Sequence, residues 1–210
     1  STFSNNVAGD KGGGLFFAGP GTVKGCTFEL NSATNAGIAG GGGIAIAAVN
    51  ALVDQCIIRN NWSILDGGGI YAEANGNVRS SLIVDNKANM NGGGVQCAGG
   101  GILENCTIAN NKADFDNNLA GSGGGIWANT NTHVNCIIMN NRGFPATSSN
   151  FFFSGTAKLQ KSCTMPTNTL PGGSFGNLNI NPLFVNTNLF NYRLNTGSPC
   201  INAGTNLPWM

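Results

Sequence analysis

The chain has 210 residues, a formal net charge of +1 and only 9% charged residues, against about 25% in ordinary soluble domains. That balance gives no electrostatic basis for holding nucleic acid or an anionic membrane surface, and it leaves solubility to Asn, Ser, Thr and Gly. No apolar run is long enough to span a bilayer, so neither nucleic acid nor membrane insertion is expected.

Residues 1–6, Ser-Thr-Phe-Ser-Asn-Asn, introduce a pattern that recurs without gaps at 26–31, 56–61, 81–86, 106–111 and 136–141, each copy ending on an asparagine: Asn6, Asn31, Asn61, Asn86, Asn111 and Asn141. Between copies lies a glycine triplet with an aliphatic residue behind it. The triplets begin at Gly12, Gly41, Gly67, Gly92 and Gly123, which are 29, 26, 25 and 31 residues apart. A period in this range is the mark of stacked structural units.

Glycine triplets and frequent Asn exclude helix interiors. The alternation of Cys56 with Ile58, Cys106 with Ile108 and Cys136 with Ile138 places those side chains on one face of a strand. The segments after the triplets alternate too, as do shorter ones around Val23, Val53, Val78 and Leu103. Two or three short strands in about 25 residues make one turn of a parallel β-helix. The chain therefore reads as all-β, a right-handed parallel β-helix solenoid of six to seven coils over 1–165, with 166–210 as an irregular C-terminal cap. The hand follows the usual hand of parallel crossovers and the resemblance given below.

Stacking at about 4.8 Å gives the recurrent asparagine a cause. At a sharp turn a backbone donor and acceptor lose their ladder partners, and an Asn side chain supplies both functions up the stack. The residue two places on is small in every copy (Ala8, Ala33, Ser63, Ala88, Ala113, Gly143), which fits a turn tucked inward. The triplets are expected at the opposite corner, where the backbone needs positive angles or close approach.

Seven cysteines invite a disulfide reading, but Cys26, Cys56, Cys106 and Cys136 share one inward column. The coil spacing suits a disulfide poorly, and they read as small buried hydrophobes. Cys163 is expected to extend that column. Cys200, in the tail, has Cys163 as a possible partner. His133 is the single histidine and no zinc spacing is present, so no cofactor is expected.

The chain opens inside a repeat. A processed chain, an excerpt or a piece of a longer protein is expected, with Phe3 open on an uncapped first coil.

Glycine triplets followed by Cys-Thr-Ile and Asn-Asn segments resemble right-handed β-helix proteins of the pectate-lyase-like superfamily. They are most like secreted bacterial surface proteins that carry polymorphic outer-membrane-protein type repeats. The tail, with Asn181-Pro-Leu-Phe, Tyr192-Arg-Leu and Gly197-Ser-Pro, is similar to the end-piece of such surface proteins. The resemblance implies an extracellular or cell-surface setting and is weak for function, because that superfamily mixes lyases, glycosidases, adhesins and plain stalks.

An enzyme of this kind needs clustered acids and a base on one outer face. The position two places before the copies that begin at Cys26, Cys56, Ser81 and Cys106 reads Lys24, Asp54, Arg79, Glu104, with alternating sign. That pattern fits structural pairing better than catalysis, so no catalytic residue is assigned; Asp54, Arg79, Glu73 and Glu104 are the residues a lyase or hydrolase would use. Asp114 and Asp116 in the longest insertion are weak calcium candidates, and a solvated loop is the favoured reading. Outward positions after the triplets carry Phe16, Tyr71 and Trp127, candidates for a ligand or partner such as carbohydrate. Ile57, Leu82 and Ile137 form a second apolar outer row, candidate interface residues. Cover by the tail or by a neighbouring subunit is favoured for both rows. Asn61-Trp-Ser63 and Asn105-Cys-Thr107 match glycosylation sequons, with Asn61 held in the turn ladder. The expected role is structural or adhesive material outside the cell. Its rivals are a subunit of a self-assembling fibre, stacked end to end or laterally, and a carbohydrate-active lyase or hydrolase.

Overall fold

A computed structural model describes residues 1–37 and 40–210. Among the described residues the repeats fold as a solenoid of parallel strands in four sheets. The first sheet holds the strands that follow each cysteine position: Thr2–Ser4, Thr27–Glu29, Ile57–Arg59, Leu82–Val84, Thr107–Ala109, Ile137–Met139 and Cys163–Thr164. A short second sheet follows the asparagine turn, with Val7–Ala8, Ser32–Ala33, Trp62–Ser63 and Lys87–Ala88. The third sheet follows the triplets, from Leu15–Phe17 through Ile44–Ile46, Ile70–Ala72, Val95–Cys97 and Ile126–Ala128 to Phe151–Phe153. The fourth runs from Gly21–Lys24 through Ala51–Asp54, Asn77–Arg79, Ile102–Glu104 and Thr132–Val134 to Lys158–Gln160.

Equivalent residues of successive copies are register partners, as with Ile58, Ile83 and Ile108 or Ile44, Ile70 and Val95. One repeat is therefore one coil. The core is a set of columns filled by Ile58, Ile83, Ile108 and Ile138 from the first sheet, Ile44, Ile70, Val95 and Ile126 from the third, and Val53, Val78, Leu103 and Leu159 from the fourth, all buried.

Each coil that carries a glycine triplet turns three times through left-handed backbone. One turn precedes the cysteine position, at Gly25, Gln55, Ser80, Asn105, Asn135 and Lys161. The next precedes the ladder asparagine, at Asn5, Leu30, Asn60, Asp85, Asn110 and Asn140. The third is the first glycine of each triplet. The recurrent Asn-Asn pair thus has two separate causes. The first residue takes a positive φ that Asn tolerates better than most side chains, and the second turns inward.

The inward residue builds the ladder. Both the backbone N–H and Nδ2 of Asn61 donate to Oδ1 of Asn86, at 3.0 and 2.9 Å, and Nδ2 also donates to the Phe28 carbonyl at 2.9 Å. The same triple arrangement recurs at Asn31, Asn86 and Asn111. The asparagines from Asn31 to Asn141 are buried. At the last coil the ladder closes on a residue from another part of the sequence: Asn141 donates twice to Oδ1 of Asn150, which in turn donates to the Met165 carbonyl.

The triplets do not lie at the opposite corner from this ladder. They lie against it. A Cβ on the third glycine would sit 3.0 Å from Asn61 Nδ2 at Gly43, 2.9 Å from Asn86 Nδ2 at Gly69 and 2.9 Å from Asn111 Nδ2 at Gly94. The second glycine faces backbone of the short sheet or its continuation, as Gly68 does with Lys87 and Gly93 with Lys112, the bridge partner of Lys87. Glycine and asparagine are two sides of one narrow end, which is also why Ala33, Ser63, Ala88 and Ala113 must be small there.

The tail does two things. Residues between 170 and 178 close the last coil: Ser174 Oγ accepts from Leu159 N–H, Asn177 Oδ1 from Ser162 N–H and the Leu178 carbonyl from Thr164 N–H, while Leu170 packs on the core. An antiparallel hairpin, Phe184–Asn186 with Asn191–Leu194, then lies on the outer face of the first sheet.

Candidate functional site

The third sheet carries a continuous outward row, with Phe16, Ala45, Tyr71, Gln96, Trp127 and Phe152 as successive register partners. Phe16 is 47% exposed and Phe152 38%, Tyr71 and Trp127 are partly buried, and Ala45 and Gln96 are buried between them. Trp127 and Phe152 stack with ring centroids 6.3 Å apart. Beside them a cleft of about 210 Å³ opens between Pro145, Phe151 to Phe153 and Thr169. Gln96 Oε1 is buried with no hydrogen-bond partner. At the other end, Lys11 pairs with Glu73 and stands 5.8 Å from the Tyr71 ring centroid. Burial pushes the Tyr71 hydroxyl pKa up, with Glu73 and Asp66 adding to it. A row of ring faces broken by one amide is an arrangement that holds a polar ligand with an apolar face.

Phe152 is a member that sequence reasoning missed. No glycine triplet announces its coil; the register signal was the Phe151-Phe-Phe153 run, with Asn150 standing where earlier coils have a triplet's last glycine.

The second apolar row is where the tail packs. Leu82 joins Val84, Ala109, Tyr192 and Phe184 in a small cluster, and Ile137 lines a cleft of about 410 Å³ against Asn202, Gly204, Thr205 and Met210. Ile57 stays 39% exposed. Tyr192 anchors the hairpin: its hydroxyl donates to Asp85 Oδ2 at 3.2 Å and accepts from Asn110 Nδ2 at 2.8 Å. Burial, then the Asp85 charge, pushes the Tyr192 pKa well up. Cover by the tail or by a neighbouring subunit is expected for both apolar rows; the hairpin and the end of the tail lie on this one, and Thr169 lines the cleft beside Phe152 on the other.

The charged row is paired. Lys24 Nζ lies 3.0 Å from Asp54 Oδ2, and Arg79 Nε lies 2.9 Å from Glu104 Oε2. Trp209 of the tail donates to the same Glu104 oxygen at 2.9 Å, and its ring lies 4.9 Å from the Arg79 guanidinium. Glu73 is bound to Lys11. The four residues a hydrolase or lyase would draw on are thus each engaged by an opposite charge.

Asp114 is buried, and its Oδ1 accepts from Leu119 N–H at 2.9 Å and Ala120 N–H at 3.4 Å. It fastens its loop. Asp116 is exposed and holds Asn118 Nδ2 at 3.0 Å. No group of three or more His, Cys, Asp or Glu side chains among the described residues is arranged for a metal ion.

The cysteine column is inward, as its alternation predicts, but its members are more than hydrophobes. Cys56, Cys106 and Cys136 each donate to the carbonyl two residues back, at 3.2, 3.3 and 3.4 Å. Ser81 and Ser162 make the same bond at 2.7 and 2.8 Å, and their hydroxyls accept from Cys56 and Cys136 N–H. Hydrogen-bonding capacity explains why Cys and Ser interchange. Ser162, not Cys163, continues the column; Cys163 is the register partner of Ile137 and belongs to the outer row. Cys97 is buried in the third sheet, where burial pushes its thiol up to about 12, an unreactive state.

His133 occupies a core position between Leu103 and Leu159. Its Nδ1 accepts from Leu103 N–H at 3.3 Å, its Nε2 has no partner, and its ring stacks 5.7 Å from Phe153. Burial lowers its pKa to about 4, so it is neutral and structural near pH 7.

A family described as a right-handed beta helix region matches residues 1–157. The chain belongs to this right-handed β-helix family. The matched part covers the strand-bearing coils through Phe153 and stops short of the tail hairpin. No curated protein and no solved structure gave a match.

Proposed function

We propose that this β-helix is an extracellular or cell-surface scaffold without catalytic activity, which presents the aromatic row of its third sheet to carbohydrate. The observation that carries the reading is the contrast between the two apolar outer rows. The Leu82 and Ile137 row has the tail hairpin and the tail's end packed on it, whereas the tail residue described beside the aromatic row is Thr169, across the cleft from Phe152. The sparse charge and the resemblance to bacterial surface β-helix proteins support the location. The ion pairs of Asp54, Arg79, Glu73 and Glu104 favour a scaffold over a lyase or hydrolase.

Wild type and Trp127→Ala on a glycan array test the reading. Binding lost or weakened about tenfold in the variant is expected for a stacked ring; equal binding, or none by wild type, contradicts the platform. Polymer incubated with the protein and followed by ultraviolet absorbance and reducing ends tests the enzymatic rival, and product formation would overturn the scaffold reading. Electron microscopy of purified material tests the fibre rival.

A further inference from the structure

Five of the seven cysteines, Cys26, Cys56, Cys97, Cys106 and Cys136, pack in or against the core, while Cys163 and Cys200 do not belong to it. Register alone separates Cys163. Its partner is Ile137 of the outer row, so its side chain leaves the coil on the face that the tail covers. There it meets a cavity of about 80 Å³ that Cys200 lines from the tail side and Leu178 from the cap. Cys163 is buried and its Sγ lies 3.1 Å from the Ile180 carbonyl, whereas Cys200 is half-exposed. Burial, with the Cys200 thiol beside it, raises the Cys163 thiol to about 12. The contacts described for the tail in this region are hydrogen bonds and packing.

We infer that Cys163 and Cys200 are a redox pair whose disulfide fastens the tail to the last coil. The oxidant is a small-molecule disulfide such as oxidised glutathione. The half-exposed Cys200 loses its proton and attacks one glutathione sulfur, and the first glutathione leaves as thiolate. Cys163 then loses its proton and displaces the second glutathione from the mixed disulfide, so two thiols become one S–S bond while one glutathione disulfide becomes two thiols. A buried thiol with a raised pKa attacks poorly until Cys200 is already activated, so the order runs from the exposed sulfur to the buried one. The bond closes a loop that includes both the cap and the hairpin, the kind of long loop whose closure stabilises most.

Trypsin provides a direct reading, because Lys161 and Arg193 bracket the two cysteines separately. The purified full chain is equilibrated with oxidised glutathione, alkylated, digested and analysed by mass spectrometry. Peptides 162–193 and 194–210 are expected as one disulfide-linked species that reductant separates, and the oxidised protein is expected to melt about 5–10 °C higher than the reduced one. Cys200→Ser, in which the core cysteines are untouched, is expected to show no oxidant-dependent shift. The inference is overturned if the two peptides appear separately in protein that remains folded by circular dichroism. It is equally overturned if Cys200 links to any other cysteine, or if Cys200→Ser keeps the shift.

Discussion

Asn86 is bound to Asn111 twice, through its backbone N–H at 2.9 Å and its side-chain Nδ2 at 3.0 Å, both to one Oδ1. This relationship carries the narrow end of the solenoid. Asn86 Oδ1 serves the coil before in the same way, and its Nδ2 also satisfies the Ile58 carbonyl. Asn86→Leu removes the acceptor for Asn61 N–H and the donor for Ile58, both deep in the protein. Each buried polar group left unpaired costs about 1–3 kcal/mol. The variant is expected to lose about 3–5 kcal/mol in urea denaturation, and an unchanged midpoint would count against the ladder.

Gly94 stands against the same ladder. An alanine Cβ would lie 2.7 Å from the Gly125 carbonyl oxygen and 2.9 Å from Asn111 Nδ2, so backbone must move. Gly94→Ala is expected to destabilise by about 2–3 kcal/mol. Gly19→Ala, whose Cβ meets nothing within 4 Å, is expected to be nearly neutral when both variants are compared with wild type by urea denaturation.

His133 makes the fold acid-sensitive in a definite window. Its pKa is 6.5 in the free side chain and about 4 in the folded chain. Below about pH 6.5 the unfolded state binds a proton that the native state refuses, so stability falls from there to about pH 4 and levels off below. The loss is at most about 3 kcal/mol. The carboxyls of Asp66 and Asp85 are pushed upward, mainly by burial, and act in the opposite direction as pH falls. Comparison with His133→Leu, which matches Leu103 and Leu159 in its column, isolates the histidine. The variant is expected to lose less stability than wild type between pH 7 and pH 4 in denaturant titrations.

Tyr192→Phe keeps the ring against Phe184, 5.4 Å away, and removes the hydroxyl bonds to Asp85 and Asn110. About 1 kcal/mol of hairpin docking should go with them. Trypsin cleavage after Arg193 is expected to quicken about fivefold while the core transition stays in place. Equal cleavage rates would mean that the hydroxyl does not hold the tail.

The repeat was legible because it is written in side chains whose alternatives fail. Ile58 and Ile83 must face inward, and Asn61 and Asn86 must supply both a donor and an acceptor. The relation of the triplets to the ladder was less legible. One repeat gives the order of its corners along the chain, but the meeting of Gly43 with Asn61 lies across the section of the coil and depends on how tightly the short sheet folds back. Asn150 was hidden for a similar reason: it enters the ladder from the glycine side, out of sequence with its predecessors. Cys163 was misplaced by one residue because Ser162 carries the same hydrogen bond with a different atom. At the candidate site, Phe16, Tyr71 and Trp127 followed from period alone. Phe152 did not, since its coil lacks the triplet that sets the count, and which row the tail would cover depended on the path of irregular chain beyond residue 166.

Side-chain hydrogen exchange at the ladder asparagines tests the one-repeat-per-coil stacking most directly. In NMR spectra of the folded chain, the Nδ2 protons of Asn31, Asn61, Asn86, Asn111 and Asn141 are expected to exchange as slowly as the backbone amides of the Ile58, Ile83 and Ile108 strands, while those of exposed Asn118 exchange freely. Exchange of the five at the rate of Asn118 would contradict the stacking on which the account rests.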